Sequence, residues 1–111
     1  MSEVVVVAVL EVKEGRVEEA ITAFTPVIEA THREPGCVSY ALHQDNSDPN
    51  TLVLVERWKS QDDLNSHFTQ PHMAEMGSLA ADLLAGQPRI VFCSGIPKGD
   101  HGPFSCGYAF C

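Results

Sequence analysis

Apolar residues fall in two rhythms along this chain. Glu3–Val12 is a β-branched run, and Cys37–Gln44, Leu52–Trp58 and Arg89–Ile96 are further short apolar stretches, each predicted as a strand. Between them the spacing changes to three and four residues. Val17, Ala20, Ile21, Phe24, Ile28 and Thr31 mark a helix over Arg16–His32, with a kink or local break expected at Pro26. Met76, Leu79, Ala80, Leu83 and Leu84 mark another, which starts at Pro71 and is closed by Gly86 and Pro88. Asp45-Asn46-Ser47-Asp48-Pro49-Asn50 is turn chemistry throughout, so the second and third strands are predicted to form a hairpin.

The stretch from Leu52 to His72 organises the rest. Alternation sends Leu52, Leu54, Glu56 and Trp58 to one face of the strand, and Val53, Val55 and Arg57 to the other. Ser60 offers an N-cap hydroxyl with Asp63 three residues on. Leu64, His67 and Phe68 then share one face of a short helix, which Thr69-Gln70-Pro71 breaks. In the second strand, Val38, Tyr40 and Leu42 are assigned to one face.

The resulting order is β-α-β-β-α-β with the second helix split, a ferredoxin-like α+β fold with an antiparallel sheet. Residues 1–96 form the domain, and 97–111 form a C-terminal tail to which no role is assigned. The first strand is apolar on both faces, Val4, Val6, Ala8 and Leu10 opposing Val5, Val7 and Val9. One layer of helices covers only one face of such a sheet, so a homodimer packed sheet to sheet is expected.

Composition narrows the function. The 111 residues carry a formal net charge of −8, which disfavours nucleic acid and anionic lipid as partners. Val4–Val9 is too short to span a bilayer and lacks the basic start of a signal peptide, so a cytoplasmic location is the default expectation. Four cysteines, Cys37, Cys93, Cys106 and Cys111, are read as free or buried thiols. No glycine-rich nucleotide or phosphate loop is present. His101, Cys106 and Cys111 match no common zinc spacing, and His67 and His72 are not the i, i+4 pair of a helical zinc site. The expectation is therefore no cofactor and no metal.

What remains is acid–base chemistry beside apolar walls. Histidine is the usual general base near neutral pH, which makes His67 the first candidate, with His72 and Glu56 beside it. The plain alternative for His67 is a core-edge histidine bonded to a backbone carbonyl or to Glu56. Glu56 on an apolar face needs a partner, and His67, Arg89 or a backbone N–H are the candidates. Trp58 and Tyr40, with Leu54, Leu64 and Phe68, are assigned to the substrate wall, although each also suits ordinary core packing. His32 and His43 look like ordinary surface or strand residues.

The run Glu56-Arg57-Trp58-Lys59-Ser60, then Leu64, His67, Pro71 and His72, resembles the antibiotic biosynthesis monooxygenase family, most closely its quinol monooxygenase branch. The upstream Glu34-Pro35-Gly36-Cys37 turn and Tyr40 belong to the same pattern, and the likeness extends over about residues 3–96. It implies a dimeric α+β barrel and a cofactor-independent oxidation of a quinol or anthrone-like aromatic by O2. Haem-degrading relatives in the superfamily carry Trp at the position of His67, His at that of Met76 and Asn on the first strand, and this chain has none of these. An isomerase acting on phosphorylated autoinducer-2 shares the fold and a similar ending of the motif, but only seven lysines and arginines are available to hold a phosphate. A non-catalytic dimeric ligand-binding protein is the third possibility.

Overall fold

Strict alternation in the first strand sets the frame. In the computed structural model, which describes residues 3–96, Val4, Val6, Ala8 and Leu10 are buried beneath the helices, and Val5, Val7 and Val9 on the other face are half-buried. The elements are β1 (Val4–Glu11), α1 (Val17–His32), β2 (Cys37–Asp45), β3 (Asp48–Trp58), α2 (Gln61–His67), α3 (Pro71–Leu83) and β4 (Arg89–Ser94). The antiparallel sheet runs β2-β3-β1-β4, the ferredoxin-like order with a divided second helix.

Register matters more here than strand length. Tyr40 pairs with Glu56, Glu56 with Val6, and Val6 with Phe92, which makes one cross-strand row on the helix side. The next row is Leu42, Leu54, Ala8 and Ile90. A carboxylate thus sits in the middle of an apolar floor.

Several expectations change. Val38 does not share the inward face with Tyr40: a register shift between Cys37 and Ser39 turns it outward, 45% exposed, and Cys37 packs toward the core instead. The hairpin turn narrows to Asn46-Ser47, because Asp45 Oδ1 accepts the Ser47 N–H at 2.8 Å and Asp48 Oδ1 accepts the Asn50 N–H at 3.0 Å, which lets β3 begin at Asp48. Helix α1 runs through Pro26 without a break. Pro26 and Thr22, whose carbonyl loses its N–H partner, are both exposed, so solvent can serve that oxygen. The helix buries Val27 with Ala20, Phe24 and Thr31, and Ile28 lies at the margin. Strand β4 ends at Ser94. The C-terminal tail 97–111, with His101, Cys106 and Cys111, falls outside the described residues.

One cap and one helix start predicted from sequence form as read. Ser60 Oγ accepts the Asp63 N–H at 3.1 Å and donates to Asp63 Oδ2 at 2.8 Å. Pro71 occupies the first turn of α3. Against this cap lies Gly36, where any Cβ would run into the Asp63 side chain, so glycine is required by close approach. Gly36 also accepts the Lys59 N–H at 3.0 Å. The Glu34-Pro35-Gly36 turn is therefore pinned against the start of α2. Among the described residues, no helix is long and apolar enough to cross a membrane.

Candidate functional site

Glu56 is 6% exposed. Its partner is neither His67 nor Arg89: the Trp58 indole Nε1–H donates to Glu56 Oε1 at 2.9 Å. The two residues share a strand face, and the fully buried indole packs as core while its N–H reaches back to the carboxylate. Burial raises the Glu56 pKa to about 7; the Trp58 hydrogen bond opposes that rise, and the charge on Glu34 adds to it.

The carboxyl group lines a hollow of about 210 Å³. Val6, Ala8, Leu54 and Tyr40 form its floor with Glu56, and Met73, Met76, Ala80 and Leu84 close it from the α3 side. Phe68, Ile90 and Phe92 also line it and are 50%, 47% and 58% exposed. The Phe68 and Phe92 rings meet edge to face, 6.3 Å between centroids. Burial holds the Tyr40 phenol well above its ordinary value, with the charges of Glu56 and Glu34 adding to the effect, so Tyr40 stays a neutral O–H group.

Of the residues assigned from sequence, Glu56, Tyr40, Leu54 and Phe68 line this hollow. His67, Trp58 and Leu64 do not: all three are 0% exposed and stand behind it. The His67 ring packs on Trp58 at 4.5 Å, on Tyr40 at 5.5 Å and on Phe68 at 5.6 Å between centroids. Phe68 caps the end of α2 instead of continuing its buried face.

His67 pairs with a residue that local spacing did not single out. Its Nδ1 lies 2.8 Å from Glu34 Oε2, and His72 Nε2 lies 2.7 Å from the same oxygen. His67 Nε2 is buried with no hydrogen-bond partner among the described residues. Desolvation lowers the His67 pKa, against the opposing pull of Glu34. A second hollow of about 320 Å³, lined by Arg33, Glu34, Asp63, Ser66 and His72 among others, flanks this cluster. From sequence, Glu34 was read as part of a turn in the family pattern and not as a site residue.

The ligand atoms of Glu34, His67 and His72 all lie within 4.8 Å of one another, close enough to be considered as a metal set. One feature argues against that use. A metal-bound imidazole is normally anchored through its second ring nitrogen, and that nitrogen of His67 is the unpartnered one. The shared carboxylate oxygen at hydrogen-bonding distance from both rings describes an acid–base cluster better. His32 and His43 serve the backbone, facing the carbonyls of Tyr40 and Val53 at 2.8 and 3.3 Å.

Comparison with known proteins agrees with this architecture. An uncharacterised protein of Synechocystis is 34% identical over 87 residues, which cover 78% of this chain and 59% of that protein's length. A conserved protein of Methanosarcina mazei has the same fold at 30% identity and a TM-score of 0.80, with 84% of this chain and 92% of that one covered. A protein of Nitrosomonas europaea provisionally assigned as an antibiotic biosynthesis monooxygenase superposes with a TM-score of 0.81 at 26% identity, covering 86% and 91% of the two chains. Residues 3–77 match the family described as antibiotic biosynthesis monooxygenase. The chain belongs to the antibiotic biosynthesis monooxygenase family.

Proposed function

We propose that the protein is a cofactor-independent monooxygenase that oxidises a quinol or anthrone-like aromatic with O2, and that Glu56 is the group that takes the substrate proton. The observation that carries this reading is a single buried carboxyl group, with a pKa of about 7, on the wall of an otherwise apolar hollow. An acceptor poised near neutral pH is matched to general-base work, and the apolar surround suits a flat ring. Sequence favoured His67 as the base; its position behind the wall favours Glu56 for the first contact.

In this mechanism Glu56 takes a phenolic proton. The substrate anion passes one electron to O2, and the substrate radical and superoxide combine to form a carbon–oxygen bond. Glu56 returns its proton to the peroxide. The ring carbon then loses its own proton as the O–O bond breaks, one oxygen stays on the ring and the other leaves as water. Tyr40, neutral and on the same wall, offers an O–H to the developing anion. The test is oxygen uptake with menadiol or an anthrone. Purified protein is expected to accelerate it well above the buffer rate, and equal rates with and without protein would leave only ligand binding.

The same reading includes a homodimer in the cytoplasm. Val5, Val7, Val9, Val53 and Val55 form a half-buried apolar face opposite the helices, with exposed Val91 beside them on β4. Light scattering at micromolar concentration is expected to give twice the chain mass of 12.1 kDa. A single-chain mass would overturn the sheet-to-sheet pairing.

A further inference from the structure

The mechanism above leaves one buried acid–base group unused, the imidazole of His67. We infer that Glu34 is a positioning residue that holds His67 as its Nδ1–H tautomer and so keeps Nε2 bare, as the acceptor of the second proton that the proposed oxidation must move. The inference rests on that oxidation and extends it.

The geometry fixes the tautomer. An ionised carboxylate can only accept hydrogen bonds. One oxygen of Glu34 faces His67 Nδ1 at 2.8 Å and His72 Nε2 at 2.7 Å, so both nitrogens carry their protons toward it. A neutral imidazole has a single N–H, and burial keeps His67 neutral, which leaves the Nε2 lone pair buried and without a hydrogen-bond partner among the described residues. An unpartnered polar atom at 0% exposure is costly in a core, and its retention points to a use.

The chemistry supplies that use. Protons leave the substrate from two places, the phenolic oxygen and the ring carbon that takes up oxygen. Glu56 serves the first. His67 Nε2 takes the second as the O–O bond breaks, and the imidazolium, held by Glu34, gives it to the departing hydroxide to form water. Tyr40 and Phe68 both pack on the imidazole and both line the hollow, so one layer of rings separates His67 from the substrate. Phe68 is half exposed at the end of α2, and the proposed transfer requires this ring to turn aside.

The test is long-range proton–nitrogen NMR on protein carrying nitrogen-15 histidine, read beside oxygen uptake. Near neutral pH the wild-type His67 is expected to show a protonated Nδ1 and an unprotonated Nε2. Glu34→Leu, which removes both acceptor oxygens, is expected to populate the other tautomer and to lower the oxidation rate about ten-fold or more. Glu34→Asp, which keeps the carboxylate, is expected to retain much of both. A protonated Nε2 in the wild type overturns the inference, whether or not the Leu variant folds. A folded Leu variant with the native tautomer, or with the native rate, overturns it while leaving the monooxygenase reading intact. Wild-type oxygen uptake no faster than buffer removes that reading, and the second-proton role with it.

Discussion

Glu56→Gln is expected to abolish oxidation and at the same time to remove the loss of stability that the wild type undergoes as pH rises through about 7. The first half follows from the proposed role of the carboxylate as proton acceptor: the amide keeps an oxygen for the Trp58 N–H but cannot take a proton, and losses of about 10²–10⁴ in kcat are usual for such a group. In the wild type, activity is expected to rise with pH through about 7, as Glu56 ionises, and that rise should vanish in the variant.

The second half follows from the direction of the pKa shift. In the unfolded chain Glu56 ionises near 4.5, and in the folded protein near 7. Between these values the folded state holds the extra proton, so stability falls as pH rises across that window and stays low above it. Ionising the buried carboxyl costs up to about 3 kcal/mol. The glutamine variant escapes this cost but leaves its amide N–H groups without a defined partner, an offset of about 1–3 kcal/mol. Urea denaturation of both proteins across that range is therefore expected to show the variant gaining on the wild type, by up to about 3 kcal/mol, as pH rises from about 4.5 past 7. A difference that does not change with pH would mean that Glu56 is not carrying a buried charge.

Trp58→Ala is expected to cost about 3–5 kcal/mol of stability, which is large enough to unfold a domain of this size under mild conditions. The indole is 0% exposed, packs on His67 and Tyr40, and pairs on its strand with Val4 and Cys37. Trp58→Phe separates packing from hydrogen bonding. It keeps a ring in the core but removes the N–H that favours the ionised form of Glu56, so the midpoint of the pH–rate profile is expected to move upward from about 7. A phenylalanine variant with an unmoved midpoint would show that the indole holds the fold without tuning the acid.

The sequence made the local half of this site readable. Alternation along β3 assigned Glu56 and Trp58 to one face, and the cap at Ser60 and the start at Pro71 located both short helices. That very alternation held the answer to the partner of Glu56, since the indole two positions on was already on its side of the strand. The Glu34–His67 pair was hidden because it joins side chains 33 residues apart across a turn whose proline and glycine read as punctuation. The outward turn of Val38 was hidden because a bulge leaves no mark in a two-residue rhythm. The hollow itself depends on where α3 crosses the sheet, and helix-to-sheet distance is not written in periodicity.

The two walls of that hollow differ in how freely they can change. The acid, the phenol and their apolar neighbours are locked into paired strands, where a one-residue slip would invert every side chain. The opposite wall is built largely from one helix surface and includes two methionines, Met73 and Met76, beside Gly77 and Ala80. Methionine adapts its shape readily, and small helix residues can be exchanged without disturbing a ladder of backbone bonds. Diversification of ligand shape within such a scaffold therefore has a ready route: reshape the ceiling and leave the strand-bound floor alone.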